Sequence, residues 1–173
     1  SVSNITRTEE VNVAGNNYVV TVQNGTQKSK GVELELIANP IQGLNIIAGY
    51  SYNDSKLTKS TTALEGRRPA SAGPAALVNS WVSYTFQKAN IKGLGIGTGV
   101  NHIGKHLSGN SATTGVFTLP SYTLVTATVF YDRPRYRIGI KVDNLTDELY
   151  FTGQGTLTAQ PPRTVVAGLT LKF

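Results

Sequence analysis

The sequence predicts an all-β chain, a set of antiparallel up-and-down strands forming part of a transmembrane barrel wall. Three observations predict it. Apolar and polar residues alternate with period two along segments of about ten residues, the length a tilted strand needs to cross a bilayer. The connections between segments alternate between short turns and long polar loops. The composition, with 39% hydrophobic residues, 15% charged residues, 18 Gly and a mean hydropathy of -0.13, is too polar for membrane helices and low in charge for an ordinary soluble domain.

About eight segments carry the alternation, and they follow in order. The first, at residues 2–11, is the weakest. In the second, Val32, Leu34, Leu36 and Ala38 alternate with Glu33 and Glu35. In the third, Leu44, Ile46, Ala48, Tyr50 and Tyr52 alternate with Asn45, Gly49 and Ser51. The fourth sets Val78, Val82, Tyr84 and Phe86 against Asn79, Trp81 and Ser83. The fifth has Leu94, Ile96, Thr98 and Val100 against a row of Gly93, Gly95, Gly97 and Gly99. The sixth, seventh and eighth place Val125, Val129 and Tyr131, then Ile138, Ile140 and Val142, then Val165, Leu169 and Leu171 on one parity. The opposite parity is rich in Gly, Ser, Thr and Asn, which fits a crowded or wet lumen better than a solvated sheet face.

Asn39-Pro40-Ile41-Gln42-Gly43, Ala89-Asn90-Ile91-Lys92-Gly93 and Asp132-Arg133-Pro134-Arg135 are short connections. The connections over 12–28, 57–76, 107–119 and 151–162 are long and polar. Short turns on the periplasmic side and long loops outside are the pattern of an outer-membrane barrel. Residues 18–22 within the first long connection read as a strand extension above the membrane. By the same parity the last segment runs from the outside toward the periplasm. Aromatics near segment ends, Tyr50, Tyr52, Tyr84, Phe86, Tyr122, Phe130, Tyr131, Tyr136, Tyr150 and Phe151, suit interfacial girdles.

Several chemistries are excluded or disfavoured. With Cys 0 there is no disulfide framework, thiolate metal site or cysteine nucleophile. No apolar run approaches about 18 residues, so a spanning helix is ruled out. No leader is legible at Ser1, which implies for an exported protein that its beginning lies elsewhere. The formal charge of +6 is scattered, its densest cluster at 133–137 falls in a tight turn, and nucleic acid is not expected as a partner. His102 and His106, four apart in an extended segment, stand about 13 Å apart along its axis, too far to share a metal. No G-x-S-x-G elbow is present. Glu33 and Glu35 read as a lumen-facing or plug-facing salt-bridge row, and Asp54, Asp143 and Asp147 as rim residues without catalytic roles. The glycine row fits either close packing of another element or a bend in the wall. The N-x-[ST] matches at Asn4, Asn24 and Asn144 are chance in a bacterial protein.

In order and spacing, a set of motifs resembles the C-terminal barrel of TonB-dependent receptors of the siderophore type. They are Lys28-Ser29-Lys30-Gly31-Val32-Glu33-Leu34-Glu35-Leu36, Gly43-Leu44-Asn45-Ile46 through Tyr52, Arg67-Arg68-Pro69-Ala70 with Asn79-Ser80-Trp81-Val82-Ser83-Tyr84, Leu119-Pro120-Ser121-Tyr122, Val142-Asp143-Asn144-Leu145-Thr146-Asp147-Glu148-Leu149-Tyr150, and Pro161-Pro162-Arg163-Thr164 through Phe173. Thr146 departs from the family's common Phe. The resemblance implies that residues 1–173 are the C-terminal part of a barrel of about 22 strands, whose plug domain and earlier strands lie upstream.

It further implies a cell outer-membrane location in a Gram-negative bacterium, a transport function energised through TonB acting on the plug, and no enzymatic activity. The cargo is a ferric siderophore, with iron carried as the chelate and no resident cofactor. The implied ligand contacts, in outer loops, are Arg67, Arg68, His106, Tyr150 and Phe151, since cations and aromatics suit an anionic or aromatic-rich chelate. Leu169, Leu171 and terminal Phe173 resemble the signal read by the barrel-assembly machinery. Lipid and lipopolysaccharide are the expected surroundings. The alternatives are a self-contained eight-stranded barrel acting as an enzyme or adhesion protein, a soluble all-β binding domain, and a receptor for cobalamin or sugar.

Overall fold

A computed structural model of the chain describes residues 2–61 and 63–173. Among these, the strands in chain order are β1 (Val2–Val13), β2 (Asn16–Ala38), β3 (Leu44–Lys59), β4 (Ala76–Thr85), β5 (Leu94–Ile103), β6 (His106–Ser111), β7 (Gly115–Leu119), β8 (Tyr122–Asp132), β9 (Tyr136–Asp143), β10 (Phe151–Thr152), β11 (Thr158–Ala159) and β12 (Thr164–Leu171). Helical structure is limited to single 3-10 turns at Ala70–Ala72 and Ala89–Ile91.

Eight strands form one sheet in the order β1-β2-β3-β4-β5-β8-β9-β12, and every neighbouring pair is antiparallel. The sheet follows sequence order, so it is an up-and-down meander. Its first and last strands do not pair among the described residues. The eight-stranded self-contained barrel, which needs that closure, is therefore not formed.

Paired residues share a face, so the register sorts the side chains. One row runs Ala38, Ile46, Val82, Thr98, Ala127, Val142 and Val165. The next on that face runs Leu44, Tyr84, Ile96, Val129, Ile140 and Ala167. The row between them, on the other face, is Asn45, Ser83, Gly97, Thr128, Lys141 and Val166. The apolar parity of the sequence is thus one continuous face of one sheet.

That face is covered by nothing. Leu34 is 63% exposed, Ile138 51% and Leu169 64%, and among the described residues only Leu57 and Leu119 are buried hydrophobic residues. A water-soluble sheet would expel water from such a face; a sheet whose solvent is hydrocarbon has no need to. The soluble-domain alternative has no second layer here to bury it.

The connections divide by rim. Residues 39–43, 86–93 and 133–135 lie at one rim, and residues 60–75, 104–121 and 144–163 at the other. Two expectations need correction. Residues 12–28 are not a loop. β1 and β2 form one tall hairpin through Ala14 (φ 52) and Gly15 (φ 85), the two left-handed residues that a two-residue hairpin turn requires. The 23 residues of β2 reach about 75 Å, far beyond a hydrocarbon core of about 30 Å. The loop after β3 is also shorter than expected, because β3 stays paired with β2 to Lys59, through one register shift between Leu57 and Lys59.

The aromatic girdle is also narrower than expected. Tyr84 and Phe86, with ring centroids 5.1 Å apart, and Tyr131 and Tyr136, 6.4 Å apart, lie at the short-turn rim on the apolar parity. Phe130 belongs to the polar face instead, in one row with Gly95 and Gly139, and Tyr122 stacks within the loops.

Candidate functional site

The long-loop rim is where the chain departs from regular sheet and where its side chains interlock. Leu57 N donates to the Arg67 carbonyl at 2.9 Å and Gly66 N to the Leu57 carbonyl at 2.8 Å, so the loop after β3 folds back along its own strand. Arg68 then holds the rest of that loop. Its Nη1 donates to the Asn53 carbonyl at 2.6 Å, its Nε to the Gly73 carbonyl at 3.1 Å, and its Nη2 to the carbonyls of Ala72 and Pro74, each at 3.2 Å. A planar fork of fixed donors can satisfy several converging carbonyls at once, which is why this position takes Arg.

Hydrogen bonds then join this loop to its neighbours. Arg67 Nη1 donates to Asn110 Oδ1 and to the Ser111 carbonyl, both at 3.4 Å, and Asn110 Nδ2 donates to the Arg68 carbonyl at 3.0 Å. Asn110 sits on β6, which pairs with β7 as a separate hairpin. On the far side of that hairpin, buried Ser108 donates through Oγ to the Gly153 carbonyl at 2.8 Å, while Gly155 N donates to the Ser108 carbonyl at 2.9 Å. The loop after β3, the β6–β7 hairpin and the β10–β11 loop form one connected assembly.

The β10–β11 loop is itself fastened at its base. Asn144, 6% exposed and with φ 53, accepts at Oδ1 from Glu148 N at 2.8 Å and donates from Nδ2 to the Glu148 carbonyl at 2.9 Å. Asp147 Oδ1 accepts from Arg163 N at 2.7 Å, closing the loop's entrance onto its exit. The Asn144-Leu145-Thr146-Asp147 stretch is therefore a turn that closes on its own backbone, with Thr146 accommodated in it. Higher in the loop, the Tyr150 ring lies 4.5 Å from that of Tyr122, tilted by 32°.

The five residues singled out in the sequence all lie in this assembly. Arg67 and Arg68 carry the first link, and His106 opens β6, its Nδ1 3.2 Å from the Gly104 carbonyl. Tyr150 stacks on Tyr122, and Phe151 opens β10, 40% exposed. No hydrogen bond among the described residues joins two of these five side chains. The joints are Asn53, Ser108, Asn110 and Asn144, of which the motif carrying Asn144 was visible in the sequence. The others are small polar residues of a kind found in any loop.

The polar face of the wall is the second surface. Three glycines of the row, Gly95, Gly97 and Gly99, prove to be a bed for aromatic rings, whereas Gly93 takes φ 90 in the turn against the Asp132 backbone. A Cβ at Gly97 would sit 2.7 Å from Trp81 Cζ2, one at Gly99 2.7 Å from Trp81 Cε3, and one at Gly95 2.2 Å from Phe130 Cζ. Gly95 and Gly99 are buried under those rings. Close approach is the reason for glycine here, and the approaching groups come from this chain's own strands. Arg137 stacks over Phe130 at 4.2 Å and pairs with Asp132 at 3.7 Å, and Lys141 pairs with Asp143 at 2.9 Å. Glu33 and Glu35 share this face with Ser51 and Gly49, and neither makes an ion pair among the described residues. The partners of the expected lumen-facing or plug-facing row therefore do not come from the described residues of this chain. Among the described residues no group of three or more His, Asp and Glu is placed to hold a metal.

A one-layer sheet with a bare apolar face, a polar face opposite and interlocked loops at one rim defines an outer-membrane β-barrel wall. The family model described as TonB dependent receptor-like, beta-barrel matches residues 2–145, and the chain belongs to that family, whose members are Gram-negative outer-membrane proteins. The chain is 31% identical to the ferrichrome outer membrane transporter/phage receptor of Escherichia coli, over 100% of this chain and 24% of that protein. It is 33% identical to the ferrioxamine B receptor of Salmonella typhimurium, over 78% of this chain and 19% of that protein. The crystal structure of the ferric-catecholate import receptor Fiu from Escherichia coli superimposes with a TM-score of 0.78 at 18% identity, covering 99% of this chain and 24% of that one, a likeness of fold. The chain spans about a quarter or less of the length of these two curated relatives.

Proposed function

We propose that this chain supplies wall and outer loops to a receptor that carries ferric siderophores across the outer membrane, energised through TonB, and that residues 1–173 are the C-terminal portion of its barrel. The observation that carries the reading is the interlocked loop assembly at the long-loop rim. It presents Arg67, His106, Tyr150 and Phe151 from loops fixed to one another, and recognition residues belong on loops that a rigid scaffold positions. The names of the matched relatives, receptors for ferrioxamine B and ferrichrome, support a ferric chelate as cargo. In this reading Arg68 fixes the loop that presents Arg67, iron passes as chelate, and no resident cofactor or reaction is involved. Glu33 and Glu35 face the plug, and Leu169, Leu171 and Phe173 present the apolar edge that the barrel-assembly machinery recognises.

The test is growth. A strain lacking the intact gene is grown with ferrioxamine B, ferrichrome or ferripyoverdine as sole iron source, with the gene restored or not. Restored growth on at least one chelate, abolished when TonB is removed, is the expected result. Replacing Arg67 with Gln together with Phe151 with Ala should weaken chelate binding roughly tenfold or more, the size of one or two lost charge-assisted or stacking contacts. Uptake of cobalamin or a sugar instead, with no chelate bound, would contradict the proposal.

A further inference from the structure

The short-turn rim carries a charge pattern that transport does not use. Lys88, Lys92, Arg133, Arg135 and Lys172 all lie in its turns or just past β12, with Asp132 as the neighbouring carboxylate. Asp132 is already engaged by Lys172 and Arg137. Lys88, Lys92, Arg133 and Arg135 make no ion pair among the described residues. The two cationic turns stand side by side, since Asp132 N donates to the Gly93 carbonyl at 2.8 Å. Lys92 and Arg133 line one shallow hollow of about 470 Å³ whose apolar lining includes Phe86 and Pro134.

Arg133 is not a free surface cation. Its Nε donates to Tyr131 Oη at 2.5 Å, and its guanidinium carbon lies 4.6 Å from that ring's centroid. The planar group is thereby held at the level of Tyr131, whose ring neighbours that of Tyr136. Aromatic rings of this kind take the depth of lipid headgroups, and the bare apolar face begins beside them at Leu94, paired with Tyr131. The anion available at that depth is a lipid phosphate.

We propose that this rim binds the headgroup phosphate of an anionic phospholipid in the inner leaflet, between Lys92 and Arg133, with Arg135 and Lys88 adding long-range attraction and the acyl chains lying against the wall above Tyr131. Arg with its fork and a mobile Lys form a phosphate-binding pair, and Asp132, which lines the same hollow, is paired there with Lys172, so the hollow keeps a net positive charge. The proposal rests on the membrane-wall reading and is independent of the cargo.

The intact receptor, purified in detergent, is titrated with phosphatidylglycerol, phosphatidylethanolamine or inorganic phosphate, and bound molecules are counted by native mass spectrometry. The wild type should retain phosphatidylglycerol over phosphatidylethanolamine. Each cation removed among Lys92→Gln, Arg133→Gln and Arg135→Gln should lower that preference roughly fivefold at low salt. The Arg133→Lys variant should keep most of the charge effect and lose the part due to the fork. Lys56→Gln, an exposed cation near the opposite rim, should change nothing. Heat-resistant compact mobility on gels confirms that each variant is folded. Equal retention of both lipids by the wild type, or displacement of the lipid by inorganic phosphate or by an acidic protein at comparable concentration, overturns the lipid assignment. Failure of the wild type to insert into vesicles would instead overturn the membrane wall beneath it.

Discussion

Along β5 the wall buries only Gly95 and Gly99, whereas the loops above it bury Ser60, Ser108, Leu119 and Asn144. The two regions are held in different ways. The wall relies on a backbone ladder that keeps one register from β3 to β12, with its apolar face left for lipid and its polar face for whatever fills the lumen. The loops have no such ladder across their junctions, so side chains bond to backbone instead: Arg68 to the four carbonyls of Asn53, Ala72, Gly73 and Pro74, Ser108 to Gly153, Asn144 to Glu148. In the wall the solvent is part of the structure. In the loops the cross-links are specific and internal.

The contrast is sharpened first by a charge. In the intact receptor folded into vesicles, Val100→Arg should destabilise by about 2–4 kcal/mol, because Val100, between Ser80 and Val125, lies mid-wall on the lipid face. The adjacent Asn101→Arg, on the polar face, should cost under about 1 kcal/mol, because its cation stays in a polar lumen. Equal costs in denaturant titration would remove the distinction between the faces. Next in size is Arg68→Ala, expected to cost about 1.5–3 kcal/mol locally through stranded carbonyls. Faster hydrogen exchange at Leu57 and Gly66 should report it, with the wall unchanged, and Lys at position 68 should not repair it because it lacks the fork.

Within the wall, Gly97→Val should cost about 1–3 kcal/mol by displacing Trp81, and Trp81→Leu in the same chain should recover part of that. Strict additivity of the two changes would show that the ring and the glycine are not coupled. The smallest effect is Ser108→Ala, about 1 kcal/mol, seen as faster exchange at Gly155.

The wall was legible in the sequence because a membrane strand has two dissimilar solvents, and the dissimilarity is written every second residue. Leu44 to Tyr52 and Tyr136 to Val142 show it plainly, and both segments are strands whose pairing keeps the expected parity on one face. Of the β1–β2 hairpin the sequence shows only residues 2–11 and the extension at 18–22 as strand, for the converse reason. Most of its side chains, from Glu9 to Val20, are exposed whichever face they point to, so polarity carries no period there. Its turn also hides, since Ala14 occupies a left-handed position where Asn or Asp would have announced it. The glycine row was visible as a demand for close approach, but the approaching rings of Trp81 and Phe130 come from neighbouring strands, and only register supplies that. The loop residues were picked for chemistry alone. Their joints, Asn53, Ser108 and Asn110, are ordinary polar residues that acquire a role only when distant loops meet.

Spin labels placed one at a time at positions 78 to 85 of β4, in the intact receptor in lipid vesicles, test the wall most directly. Labels at 78, 80, 82 and 84 should be relaxed by oxygen dissolved in the bilayer, and labels at 79, 81, 83 and 85 should be shielded from it. A flat profile, or one in which the odd positions meet the lipid, would contradict the wall.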